Sequence, residues 1–124
     1  FMRIHSDNFV KKWFNRHLNI HPSLLPSFKG LNTHKKAIEA GVKFSGCTVH
    51  MVRPGVDEGP IIGQAITSVD SRDNEELLAE KVLKLEHMLY PACLHLIAEG
   101  QIKINLDKVD YSDKALKKLE DFKI

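Results

Sequence analysis

Hydrophobic and polar positions alternate along this chain in two rhythms, and the changes of rhythm mark the elements. Leu18-Asn19-Ile20-His21 alternates strictly, the period-two signature of a strand. It puts Asn19 and His21 on one face and stops at Pro22. Upstream, Phe9, Val10, Trp13, Phe14 and His17 recur at helical spacing, so a short amphipathic helix is expected over 8–16. Residues 1–4 read as a strand tail and 5–8 as a turn with several possible helix caps. Pro22, Pro26 and Gly30 punctuate a loop over 22–30. Asn32 or Thr33 can cap a helix through Ala40, with Gly41 as its C-cap. Residues 44–46 read as a turn, 47–52 as a strand, 53–60 as a turn-rich loop with two acids, and 61–69 as the strand completing a hairpin-like pair. Leu77, Leu78, Val82, Leu85, Met88, Leu89, Leu94 and Ile97 then form a stripe along one helix of ~25 residues. Residues 71–74 precede it, Pro91 marks a kink or break, and Gly100 ends it. Met88 and Leu89 are expected in the core. Residues 101–104 read as a short extended segment. The chain from 105 is Lys-rich, with a surface helix over 114–122 whose lysines are solvated.

Composition narrows the class. The 124 residues are enough for one small domain with one core. At 43% hydrophobic and 27% charged, the composition is that of an ordinary globular protein. The net charge of +2 is small and its lysines and arginines are scattered, so neither nucleic acid nor a membrane surface is expected as a partner. No apolar run approaches the ~18 residues of a membrane span. No signal-peptide pattern is legible, and the two cysteines form no CxxC pair, which points to a reducing cytoplasm. Cys47, in an apolar strand, is expected to be buried and inert. The opening Phe1-Met2-Arg3-Ile4 is apolar with no cap before it, so a preceding part of the protein is expected to be missing.

The candidate chemistry gathers around Asn19, His21, His50 and Asp57. Strand ends of open α/β sheets are where ligands sit. An amide can donate to a developing oxyanion, an imidazole can move a proton near neutral pH, and a carboxylate beside the imidazole orients it. Together they suit addition to a carbonyl: Asn19 holds the oxyanion, His21 donates to it, and Asp57 supports His21 or shuttles protons through water. For an Asn-x-His triplet alone, a polar strand edge is the plain alternative. No nucleophilic serine or cysteine stands out; Ser23 is near in sequence, but GxSxG is absent. Seven histidines occur, yet HExxH and finger spacings are absent and no metal is expected. His17, His87 and His95 read as helix-surface or packing residues, and His34 as either a ligand contact or an exposed side chain.

Longer motifs are more specific. Asn19-Ile20-His21-Pro22-Ser23-Leu24-Leu25-Pro26, then Lys29-Gly30, Gly46-Cys47-Thr48-Val49-His50, and Val56-Asp57-Glu58-Gly59-Pro60-Ile61-Ile62-Gly63-Gln64 resemble the folate-dependent formyltransferases. The likeness runs from residue 1 to about 104 with order and spacing intact. It implies an α/β formyltransferase fold: the C-terminal half of a mostly parallel sheet flanked by helices, without the N-terminal mononucleotide-binding half. Residues 1–104 would be the catalytic and folate-binding part, and 105–124 a Lys-rich tail. The activity implied is formyl transfer from the co-substrate 10-formyltetrahydrofolate to the amine of glycinamide ribonucleotide by direct amine attack, with no metal. The resemblance places the catalytic triad on Asn19, His21 and Asp57. It places the folate pocket on Met2, Arg3, Ile4, His5 and Val10 with the loop Val52, Arg53, Pro54, Gly55, Val56 and Asp57, whose backbone meets the pterin. It places Asn19, Pro22, Ser23 and Glu86 beside the nucleotide substrate, with His50 and Thr48 in support. It also implies a cytoplasmic enzyme and a homodimer as the candidate assembly.

Two departures from the family qualify this picture. The Gly-rich phosphate loop and the first parallel strands are absent, and His5 stands where the family often has an apolar residue. Without those strands, strand 18–21 would expose an edge, so a poorly stable, association-prone chain is expected. The hydrolase relatives tend to carry His-His-Ser-Phe-Leu-Pro where this chain has His21-Pro22-Ser23-Leu24-Leu25-Pro26. The relatives that formylate methionyl-tRNA tend to carry Arg-Gly-Ala-Ala-Pro where it has Lys29-Gly30-Leu31-Asn32-Thr33. Both comparisons favour the purine-synthesis branch, and the alternatives are a formyltetrahydrofolate hydrolase, another folate-dependent formyltransferase or a non-catalytic folate-binding fragment.

Overall fold

The computed structural model describes residues 17–55 and 57–123. The expected strand tail at 1–4 and helix at 8–16 lie outside them. In chain order the elements are β1 (Leu18–His21), α1 (Thr33–Ala40), β2 (Phe44–Met51), β3 (Ile61–Ser68), α2 (Glu75–Ala98), β4 (Ile102–Asn105), β5 (Lys108–Tyr111) and α3 (Asp113–Glu120).

β1, β2 and β3 make one sheet in that order, and both pairings are antiparallel. Mostly parallel is the expectation for the whole sheet; each of the three described strands is antiparallel to its neighbour. From the end of β1 the chain passes through a loop and the eight-residue α1, then enters β2 at the same end of the sheet. Residues 44–47 of β2 extend past His21, whose partner is Thr48. An excursion that leaves and re-enters at one end gives an antiparallel neighbour. β2 also begins three residues before the expected position. Its residues 44–46, read as a turn because of Gly46, pair with Ser68, Thr67 and Ile66. Gly46 serves close strand approach there, since a Cβ on it would strike the Ala65 carbonyl.

α2 packs its buried Leu78, Val82, Leu89, Cys93 and Leu96 over Cys47, Val49 and Met51 of β2 and Ile62 and Ala65 of β3. Its start is capped by Asn74, whose side chain accepts from the Leu77 N–H at 2.9 Å, with Glu75 and Glu76 in the first turn. The helix runs through Pro91 without a break, and the proline is exposed. Met88, Leu77 and Leu94 correct the expected stripe: they are exposed, Met88 at 61%, while Leu89 is fully buried. A residue shift of one turns a side chain by 100°, off the buried face. At α1, Gly41 closes the helix in the left-handed region, its N–H reaching the Ala37 and Ile38 carbonyls. Asn32 does not cap with its side chain; it is itself left-handed at φ 59°.

The segment after Gly100 is built into the fold. β4 and β5 form a hairpin, and Ser112 caps α3 by accepting from the Ala115 N–H at 3.1 Å. Ala115 and Phe122 are buried against the main core. Phe122 lends its carbonyl to the Ile66 N–H at 3.1 Å, and the Tyr111 hydroxyl donates to the Ile62 carbonyl at 2.6 Å. The outer edge of β3 is thereby covered by the C-terminal residues.

Candidate functional site

The β1–β2 pairing puts four polar side chains on one face of two strands. Asn19 stands opposite His50, and His21 opposite Thr48. A bulge shapes this corner. Val49 pairs with Gly63 but His50 with Ile61, leaving Ile62 as an extra residue on β3.

Asp57 enters from the loop between β2 and β3. Its backbone is left-handed at φ 56°, a conformation aspartate tolerates better than most residues. One carboxylate oxygen, Oδ2, accepts the Gly30 N–H at 2.8 Å and lies 3.4 Å from Nδ1 of His21. The other, Oδ1, lies 3.9 Å from Nε2 of His50. Asp57 therefore joins the two loops and stands between two buried imidazoles.

Main-chain carbonyls set the tautomer of each ring. The Nε2–H of His21 donates to the Phe28 carbonyl at 2.9 Å, which leaves Nδ1 turned toward Asp57 with no hydrogen bond. The Nδ1–H of His50 donates to the Met51 carbonyl at 3.0 Å, which leaves Nε2 turned toward Asp57, also without one. Three acceptors thus converge: two ring nitrogens and a carboxylate. A proton on Nδ1 of His21 converts its 3.4 Å approach to Asp57 into a charge-assisted hydrogen bond. Burial holds His50 below its ordinary pKa, against the opposing pull of the Met51 carbonyl and Asp57. His50 is therefore neutral near pH 7, with Nε2 free to accept.

The loop after β1 supplies the Phe28 carbonyl, and Thr48 and Ser23 hold that loop in shape. The fully buried Thr48 hydroxyl donates to the Ser23 carbonyl at 2.7 Å and accepts from the Leu25 N–H and from Gln64, both at 3.1 Å. The Ser23 hydroxyl donates to the Ser27 carbonyl at 2.6 Å. The Ser23 side chain, expected beside the substrate, is buried and turned into the loop.

A cavity of about 600 Å³ opens beside β1, lined by Asn19, Ile20, Leu83, Glu86, His87 and Tyr90 among others. Burial pushes the Glu86 carboxyl above its ordinary 4.5, with His87 and His21 opposing. Glu86 and Asn19 thus line one cavity. Arg53 is in the expected folate loop, but its guanidinium points away, into the turn between β4 and β5. Met2, Arg3, Ile4, His5, Val10 and Val56 lie outside the described residues. His34 is half-buried with an unpartnered Nδ1, and burial lowers its pKa, with Glu75 opposing. The Phe28 carbonyl and the Gly30 N–H had not been anticipated. They are main-chain groups and leave no side-chain signal; Gly30 was legible as punctuation and as part of a family motif, not as a donor to Asp57. Among the described residues no three His, Cys, Asp or Glu side chains are placed to hold a metal ion, and no helix is long and apolar enough to cross a membrane.

Comparison with known proteins gives the family. The chain is 54% identical over 104 residues to a trifunctional purine biosynthetic protein adenosine-3 of Gallus gallus, which covers 84% of this chain and 10% of that protein. Its structure superimposes on a phosphoribosylglycinamide formyltransferase from Anaplasma phagocytophilum with a TM-score of 0.87 at 47% identity, over 92% of this chain and 56% of that one. A formyltetrahydrofolate deformylase from Pseudomonas syringae pv. tomato gives 0.85 at 31% identity, over 91% of this chain and 38% of that one. The chain thus spans about a tenth of the trifunctional relative and little more than half of the formyltransferase. Residues 1–94 match the family described as formyl transferase, and the chain belongs to that family.

Proposed function

We propose that the protein carrying this chain transfers the formyl group of 10-formyltetrahydrofolate to the amine of glycinamide ribonucleotide, a phosphoribosylglycinamide formyltransferase activity of purine synthesis. The observation that carries the reading is the tautomer lock on His21: its Nε2–H is held by Phe28, and Nδ1 is left beside Asp57. Once protonated, that nitrogen is the acid this cluster can offer to a carbonyl oxygen.

The amine lone pair attacks the formyl carbon, and the carbonyl electrons move to oxygen. The Asn19 amide and a protonated His21 Nδ1 stabilise that oxyanion. The amine then loses a proton, which Asp57 passes toward N10 of the folate, through water where direct reach fails. Collapse of the adduct breaks the bond from carbon to N10, leaving the formylated nucleotide and tetrahydrofolate. Nε2 of neutral His50 can accept from Asp57 only while the aspartate carries the transferred proton, or from a water between them. Glu86 meets the nucleotide across the cavity, and the backbone of 52–57 meets the pterin. Neither step needs a metal. Buried free thiols at Cys47 and Cys93 fit a cytoplasmic location.

The deformylase likeness makes formyl hydrolysis the second reading. The two differ in acceptor, so one assay separates them. Tetrahydrofolate is followed in the full-length protein with and without glycinamide ribonucleotide. Transfer requires the nucleotide and yields its formyl derivative; tetrahydrofolate and formate released without it would establish hydrolysis and sink the proposal.

A further inference from the structure

We infer that Arg53 is a positioning residue that clamps the Asp57 loop to the hairpin of β4 and β5; this rests on the reading that Asp57 works with His21. Arg53 is four residues before Asp57 and 8% exposed, a rare burial for a guanidinium. Its Nη2 donates to the Leu106 carbonyl at 2.9 Å, its Nη1 to the Val52 carbonyl at 3.1 Å, and its Nε faces Asp107 at 3.4 Å. The Asp107 carboxylate is 83% exposed, so that ion pair is screened and the carbonyl of Leu106 is the firmer hold.

Both ends of the clamp have unusual backbone. Leu106 takes φ 58° in a two-residue hairpin turn, where glycine is the usual occupant. A left-handed leucine is costly and persists where its surroundings over-determine it. Here its carbonyl caps a buried charge. The loop itself holds two positive φ values within three residues, Gly55 at 104° and Asp57 at 56°. Its base is closed by the Met51 N–H on the Pro60 carbonyl at 2.9 Å, and Arg53 ties the stretch between that base and Asp57 to the C-terminal segment. Arg53 therefore links the segment after Gly100 to the loop that carries Asp57.

The test uses the full-length protein with R53A and the conservative R53K, and two independent readouts. By hydrogen exchange, peptides over 52–58 in R53A should exchange at least tenfold faster, with β1 and α2 unchanged. R53K should recover only part, because lysine lacks the fork that reaches two carbonyls. Unchanged exchange over 52–58 in R53A overturns the clamp. In the transfer assay R53A should lower kcat about tenfold with KM for the amine substrate unchanged, the cost of a displaced catalytic group. A normal kcat with a loosened loop overturns the positioning role. A wild-type protein that transfers no formyl group would sink the functional reading instead, and exchange alone would then decide the clamp.

Discussion

Thr48→Val tests whether the loop after β1 is held by one buried hydroxyl. Valine has nearly the shape of threonine, so the substitution opens no large cavity. It removes an oxygen that satisfies the Ser23 carbonyl, the Leu25 N–H and the Gln64 amide. Gln64 is half-buried, keeps its bond to the Leu25 carbonyl at 3.0 Å, and can turn to water. The two main-chain groups belong to residues that are themselves buried, and they have no such escape. Each orphaned buried group costs about 1–3 kcal/mol, so T48V should lose about 2–4 kcal/mol of stability. With a urea slope of about 2 kcal/mol/M, the midpoint falls by roughly 1–2 M at unchanged slope.

The same change reaches the chemistry. The loop pinned by Thr48 carries Phe28, whose carbonyl holds Nε2 of His21. Once that carbonyl drifts, the ring loses its tautomer lock, and transfer should slow about tenfold or more even under conditions where the variant is folded. Thr48→Ser is the control, because it keeps the oxygen and loses only a methyl, for about 1 kcal/mol. Urea melts and transfer rates on the three proteins decide the matter. A T48V midpoint within 0.3 M of wild type, or a T48S loss equal to that of T48V, would refute the argument that the hydroxyl organises this loop.

Three further outcomes are expected. Asn19→Ala, His21→Ala and Asp57→Ala should each cut transfer by roughly 10²–10⁴; His21→Asn should reduce kcat far more than folate affinity, and near-normal turnover in all three alanine variants would remove the mechanism. Stability should fall as pH drops below 6.5. His50 and His34 have folded-state pKa values held below 6.5 by burial, so the unfolded chain takes up protons there that the folded one refuses. Glu86, raised above 4.5, works in the opposite sense at lower pH, so the clean window for thermal melts is pH 7 to 5.5; a flat or rising Tm across it would contradict the burial of the two rings. Gly59→Ala should destabilise by about 1–3 kcal/mol and slow transfer, because a Cβ there would strike the Met51 carbonyl and lift the loop carrying Asp57; a melt indistinguishable from wild type would show that the loop yields freely.

What could be read ahead of the structure depended on whether a side chain carried the signal. Alternation at 18–21 put Asn19 and His21 on one face, and the strand formed at the expected residues. The apolar stripe located α2, and Gly41 located the end of α1. Met88 was misplaced because one residue of helical phase separates the buried face from solvent. The hairpin of β4 and β5 was invisible for a related reason: its turn is Leu106-Asp107, without the glycine or asparagine that announces a two-residue turn. Strand direction was illegible too, since alternation is the same for parallel and antiparallel neighbours.

The candidate site shows the same division more sharply. Asn19, His21, His50 and Asp57 could be nominated because amide, imidazole and carboxylate groups declare their chemistry. Which nitrogen of each ring is available could not, because that depends on the Phe28 and Met51 carbonyls, and every residue has a carbonyl. Side chains name the reaction here and the backbone sets its geometry, through two carbonyls and the Gly30 N–H on Asp57. A variant screen confined to the nominated side chains would therefore miss much of what controls rate. Substitutions that move the backbone without touching those side chains, at Thr48, Gly59 or Arg53, separate the two contributions. If the backbone sets the geometry, they should lower kcat while Asn19, His21 and Asp57 remain intact.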